Sequence, residues 1–312
     1  MADDTTFLKD NLQGFVPAPT AAEIIQDVVR GSSVLRLSKV TPMESETLKV
    51  PVMAEGPGAF WVGETERIKT SVAKWIFPVL TAKKLAVIIP VSKEKLNDAT
   101  IDVFATLQPE IAEAFYKAID AACLFGTNSP FELNVYDQAV KEGKVIQAGT
   151  NERLDLDISD TMALIEAGNL DVNGFAAGIS FKNNLRKLRD ANGNQLYVQG
   201  TDQNTLYSQP IEFSRSSAWD NTKALCIAAN WNYSLVGIRD QMQYEVLREA
   251  TLNSVTMEDG KPLSLAENDM IAIKATMRLG FLPVKAAAFA CLTPKAGDTP
   301  LTPTAPGQDP AD

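Results

Sequence analysis

Between Asp102 and Gly126 the large apolar residues fall at Phe104, Leu107, Ile111, Phe115 and Ile119, with Ala118, Ala122 and Cys123 filling the same face. Steps of three and four put them on one stripe of a helix. Asp102, Glu110, Glu113, Lys117 and Asp120 fall on the opposite side. The spacing predicts one helix over 102–125, which at about 1.5 Å per residue crosses a whole domain. Gly126 stops it. Pro109 either kinks this helix or marks the first turn of its main segment.

Upstream the period changes. Residues 1–20 are polar, with Pro17 and Pro19, and predict an extended arm. Thr20–Arg30 predicts a short helix, with Thr20 and Glu23 at capping-box positions and Gly31 after it. Alternation through Val34, Leu35 and Leu37 predicts a short strand over 33–40. Leu48, Val50 and Val52 alternate next, and Gly56, Pro57 and Gly58 break the pattern. Trp61 and Val62 precede the polar stretch 63–71. A second alternating run then carries Trp75, Phe77 and Val79, continuing through Leu85, Val87, Ile89 and Val91. Two strand-like arms around a polar tip predict a long β-hairpin over about 45–80. A two-stranded ribbon is marginal alone in water, so Trp61, Trp75 and Phe77 must be covered, by a partner surface or by the chain's own core. Ser92–Thr100 predicts a short helix leading into the long one.

After Gly126, residues 127–153 predict loop and irregular polar connection. A second segment follows from Leu154. It has a capped helix over 159–167, a small-residue strand over 175–180, a helix over 180–191 and a turn at Asn192-Gly193. Turn then strand follow over 205–213, with further short strands over 225–230, 233–238 and 244–247. Long strands return over 269–292. From Thr293 the Pro-, Thr- and Asp-rich tail predicts disorder.

Composition removes several functions. The chain has 312 residues and no histidine, so neither Ser-His-Asp nor Cys-His catalysis can arise within it. There is no P-loop, no GxGxxG after a strand, and no acidic cluster at metal-ligand spacing. Asp155, Asp157 and Asp160 lack the Gly and terminal Glu of a calcium loop and suit helix capping. Cys123, Cys226 and Cys291 stand far apart among apolar neighbours and predict buried free thiols in a reducing compartment. A net charge of −10 disfavours a surface that grips nucleic acid. No apolar run reaches the roughly 18 residues needed to cross a bilayer, and the polar start MADDTTFLKD is no signal peptide.

The order of these pieces resembles the tailed-phage major capsid proteins of the Hong Kong 97 type, over about Ala21 to Leu292. The residues that carry it are Val50-Pro51, then Ala59-Phe60-Trp61-Val62-Gly63-Glu64, and Lys84-Leu85-Ala86 with Val91-Ser92, Glu94, Leu96 and Asp98. Further along stand Asp120, Ala122, Leu124 and Gly126, then Leu185, Leu188–Asp190, Asn192, Gly193 and Leu196. Ser208-Gln209-Pro210-Ile211 approximates a strand whose usual Gly is replaced. Arg278, Val284 and Ala288–Leu292 close the match.

The resemblance implies an α+β chain with an N-terminal arm (1–32) and a peripheral domain of spine helix and long strands (33–153 and 266–292). It also implies an extended hairpin loop (45–80) and an axial α/β domain (154–265). Hexamers and pentamers would close into an icosahedral head shell around DNA that is not specifically bound, with no cofactor, no membrane and no enzyme activity. A scaffolding protein, a protease, a portal and a decoration protein are the implied partners, with assembly in the host cytoplasm. Starting within about twenty residues of Met1, the folded pattern implies a separate scaffold or a processed chain. Trp61, Glu64, Glu66, Arg67, Lys69, Lys74, Trp75, Phe77 and Arg278 are the implied inter-subunit contacts. The type member's Lys–Asn cross-link is not expected. Lys69 or Lys74 could sit on the loop, but Ala275, Thr276 and Met277 offer no acid before Arg278, and the nearest amide is Asn268. An encapsulin-like compartment shares the fold, but the long hairpin and the tail suit a phage shell better. A soluble α/β enzyme would need a site that the chain lacks; Glu64 and Glu66 read more simply as a charged loop tip.

Overall fold

The computed structural model describes residues 31–64, 67–68, 70–93, 103–151, 153–189, 205–214, 217–257 and 260–295. The expected arm, the Thr20–Arg30 helix, all but the start of the Ser92–Thr100 helix, the Asn192-Gly193 turn and the tail beyond Lys295 lie outside them. The described residues pack as two compact units, one within 39–115 and 234–284, the other within 31–38, 116–233 and 285–295.

The first unit is built on a four-stranded sheet. Its order is β1 (Lys39–Pro42), β12 (Ser234–Leu247), β15 (Met270–Pro283) and β6 (Lys83–Ser92). β12 replaces the two short strands expected over 233–238 and 244–247. Register shifts between Ile238 and Asp240, and between Asp240 and Gln243, change the phase of the alternation and hide its continuity. Along β15, Ala275, Met277 and Leu279 are buried while Lys274, Thr276 and Arg278 face the other way. β13 (Thr251–Thr256) and β14 (Pro262–Ser264), which no pattern announces, form a hairpin over Leu252, Leu263 and Leu265. The predicted long hairpin is present as two antiparallel pairs. β2 (Thr47–Lys49) joins β5 (Val79–Thr81) at its base, and β3 (Val52–Glu55) joins β4 (Lys74–Ile76) farther out.

The long helix α2 (Val103–Phe125) contains Pro109 in its interior, not in its first turn. Ile111, Phe115, Ile119, Ala122 and Cys123 are buried along it, as the stripe predicts. Gly126 follows with φ 69°, a left-handed conformation that glycine adopts without strain. Asp120 departs from the pattern. It is only 1% exposed, because its carboxylate caps α1 (Ser33–Leu37). Ser32 Oγ–H donates to it at 2.6 Å, Ser33 N–H at 3.0 Å and Val34 N–H at 3.2 Å. That cap turns the strand expected over 33–40 into a helix. Ser32 Oγ also accepts from Leu35 N–H, so the first-turn amides are satisfied from two directions.

The second unit holds a six-stranded sheet of order β7 (Val145–Gln147), β16 (Phe289–Thr293), β11 (Cys226–Ala229), β8 (Gly174–Gly178), β10 (Gln209–Ser214) and β9 (Thr205–Leu206). β8 and β11 are buried along their whole length, which requires unbroken small or apolar runs instead of alternation. α3 (Val135–Lys141) and α4 (Leu154–Glu166) pack against β16, and α5 (Phe181–Lys187) follows β8. α3 and β7 lie where an irregular connection is expected. Asn134 caps α3 by accepting from Asp137 N–H at 2.8 Å, and Val135 and Ala139 supply its buried face. α4 starts five residues before the expected Ser159, with Asp155 and Asp157 in its first turn. Asp157 is buried and accepts from Gly149 N–H, Asn151 N–H and Asn151 Nδ2–H, pinning the preceding loop. The turn joining β9 and β10 puts Tyr207 at φ 49° and Ser208 at φ 64°. That accounts for the Gly usual in the related pattern, where Ser stands here.

All three cysteines are free and fully buried, and burial pushes each thiol's pKa up. Native chain is therefore expected to leave a disulfide-exchange reagent unreacted until it unfolds. One thiol titrating rapidly without denaturant would contradict this burial.

Candidate assembly surface

The hairpin is anchored at its base and bare beyond it. Leu80 of β5 is buried, as are Met43 and Ala82 beside it. Two main-chain bonds continue the pairing there, Val50 N–H to Pro78 O at 3.0 Å and Ala82 N–H to Glu46 O at 2.8 Å. Farther out, Met53 stands directly opposite Trp75, and they are 46% and 49% exposed. Phe77 is 59% exposed, Ile68 78%, Val72 84%, and Trp61 is completely exposed. The tip is braced by Gly58 N–H donating to Ser71 Oγ at 2.6 Å. Such a run of uncovered aromatic and branched side chains is far larger than isolated surface apolar residues require. Among the described residues no core element covers these rings.

Among the other expected contact residues, Glu64, Arg67 and Lys74 are exposed on the same hairpin. Glu66 and Lys69 lie outside the described residues. Arg278 belongs to a different surface, the outward face of the four-stranded sheet. Its Nε lies 3.4 Å from Asp240 Oδ2, and beside it Lys274 Nζ lies 2.6 Å from Glu245 Oε2. With Lys84, Gln243, Thr276 and Met277 these line a shallow polar cavity of about 300 Å³. Both pairs are partly solvated, so each contributes about 1 kcal/mol or less. Asn268 donates through Nδ2 to Ser264 O at 2.8 Å. Sequence reasoning missed Phe60, Ile68 and Val72 as exposed members of the hairpin surface. Their signal was available, since each is a large apolar residue beside a polar tip.

Among the described residues no group of three or more acidic or cysteine side chains could hold a metal. No described helix is long and apolar enough to cross a membrane. The described residues thus show a sheet-based body carrying an arm with exposed aromatic side chains.

Comparison with known proteins identifies that class. The sequence profile of the phage capsid family matches residues 13–293. The major capsid protein of Staphylococcus phage 80alpha is 33% identical over 293 residues, covering 93% of this chain and 88% of that protein. A solved structure from Microbacterium phage Oxtober96 superposes with TM-score 0.75 at 27% identity, covering 85% of this chain and 91% of the other. A structure described as the capsid of an empty GTA particle computed with C5 symmetry has TM-score 0.65 at 17% identity, covering 85% and 90%; it shares the fold. This chain belongs to the phage capsid family. It has the Hong Kong 97 type fold of a major capsid protein and is a structural component of the virion.

Proposed function

We propose that each copy lays its hairpin across a neighbouring copy, so that hexamers and pentamers close into an icosahedral head. The carrying observation is the uncovered apolar surface from Met53 to Phe77, with Trp61 wholly exposed. Glu64, Arg67 and Lys74 would set register at the rim of that contact, where charges steer more than they bind, with Glu66 and Lys69 as further contact residues. Arg278, already facing Asp240, would contribute through the sheet face. Many copies of one moderate contact give a closed shell its stability through multivalency. The long helix, hairpin and long strands of 33–153 and 266–292 take the peripheral role, and the segment from 154 to 265 the axial one. With a net charge of −10 the shell encloses DNA without gripping it. The chain works as structure and not as an enzyme, is assembled in the host cytoplasm, and takes a separate scaffolding protein, protease, portal and decoration protein as partners. No covalent cross-link is involved.

Replacing Phe60 and Trp61 together by serine tests this. Truncating a central aromatic anchor weakens a contact by about 2 kcal/mol or more, roughly thirtyfold. The double variant is expected to stay soluble and melt like unassembled wild type, yet yield no closed shells by electron microscopy. Shells of wild-type number and diameter would refute the reading.

A further inference from the structure

We propose that Gly280, with its cross-strand partner Gly237, is the seat that positions the base of the hairpin. Gly280 is thereby a positioning residue for assembly. The inference rests on reading the hairpin as the arm that reaches a second copy.

Two long neighbouring strands rarely benefit from glycine, which removes packing and loosens the chain. Yet Gly237 of β12 and Gly280 of β15 stand directly opposite one another. Side by side they leave a hollow in the sheet, and Leu80 of the hairpin base fills it. A Cβ on Gly237 would meet Leu80 Cδ2 at 2.6 Å, and a Cβ on Gly280 would meet Leu80 Cδ1 at 3.1 Å. The two methyl groups of one leucine therefore straddle the glycine pair.

The two positions differ in what else they touch. At Gly237 every close atom belongs to a side chain, Leu80 Cδ2 and Met43 Sδ and Cγ, so the main chain of the hairpin is not pushed directly. At Gly280 the closest atom is the backbone oxygen of Thr81, 2.8 Å from the added Cβ, followed by the Thr81 carbonyl carbon at 3.1 Å. A methyl group there must push the main chain of β5 itself. Since β5 pairs with β2 through Thr47–Thr81, Leu48–Leu80 and Lys49–Val79, both strands move together, and with them the arm they carry. A small shift at the base becomes a larger one at the tip, because the arm is a lever fixed at one end.

The test compares Gly280→Ala, Gly237→Ala and Leu80→Ala in the full chain, by electron microscopy of particles and amide hydrogen exchange of unassembled protein. For Gly280→Ala, exchange at Val50 and Ala82, the amides that close the base, is expected to rise about tenfold or more, with β8 and β11 still protected. Closed shells of wild-type diameter should be lost. Gly237→Ala, which crowds side chains alone, should retain more of them than Gly280→Ala. Normal shells from Gly280→Ala overturn the inference, as do lost shells with unchanged exchange at Val50 and Ala82. Equal loss from both glycine variants also overturns it, since that indicates general packing damage. If Gly280→Ala does not fold, Leu80→Ala decides. Emptying the seat should speed exchange at the same amides and abolish wild-type shells, and shells of normal diameter refute the seat. If instead the Phe60/Trp61 variant forms normal shells, the premise fails. If that variant fails to close while Gly280→Ala closes normally, only the present inference falls.

Discussion

Replacing Trp231 by alanine is expected to destabilise the chain by about 4 kcal/mol, within the range for truncating a large buried aromatic residue. The side chain is 1% exposed and meets Phe289 edge-on, with ring centroids 6.3 Å apart. Its indole N–H donates to Gly174 O at 3.1 Å, and its main-chain N–H is held by Asn173 Oδ1 at 2.7 Å. Removal therefore opens a cavity beside Gly174 and Phe289 and deletes a buried hydrogen bond. Trp231→Phe should restore most of the apolar volume but not the hydrogen bond, leaving a loss of about 1–2 kcal/mol. Urea unfolding of both variants, placed in the Phe60/Trp61 background so that assembly adds nothing, separates these contributions. A loss below about 1 kcal/mol for Trp231→Ala would mean that the site collapses around the gap.

Trp231 also illustrates what the sequence conveys. Its neighbours in β8 and β11 were legible as short apolar runs, and the α2 stripe from Ile111 to Cys123 was legible from spacing, because burial on one face leaves a period. The hairpin arms were legible as alternating runs on either side of a polar tip, whereas the exposure of Trp61, Trp75 and Phe77 was not, because a sequence does not say which surface covers a ring. What could not be read depends on residues distant in sequence. The helix Ser33–Leu37 exists because a carboxylate some 87 positions away caps it. The continuity of β12 is hidden by its two register shifts. The Gly237–Gly280 seat appears only once the register of two strands is known. α3 is a different case: Asn134 with Asp137 is a local capping signal, overlooked because only two of its residues are apolar and buried.

The cap on α1 gives the second large effect. Among the described residues no cation influences the Asp120 carboxyl. Burial raises its pKa from the ordinary 3.8 to about 6, against the opposing pull of the hydrogen bonds from Ser32, Ser33 and Val34. Cys123 lies close enough to feel the Asp120 charge, and burial together with that charge keeps it a neutral thiol. A carboxyl whose folded pKa lies above its unfolded value binds its proton more tightly in the native state. Its contribution to stability is therefore greatest below about pH 4, and is lost as pH rises from there through about 6. At 1.36 kcal/mol per pKa unit the loss is on the order of 3 kcal/mol by pH 7. This is opposite to the usual carboxylate. Asp120→Asn keeps an acceptor for the cap but cannot titrate. The stability of wild type minus that of Asp120→Asn should therefore rise by about 3 kcal/mol between pH 7 and pH 3. Denaturant midpoints measured at half-unit pH steps on both proteins would reveal it. A flat difference would show that the three donors hold Asp120 ionised at its ordinary pKa. Asp120→Ala should be destabilised across the whole range, because the buried amides of Ser33 and Val34 lose their acceptor, at about 1–3 kcal/mol each. Faster amide exchange across Ser33–Leu37 would locate that damage in the cap.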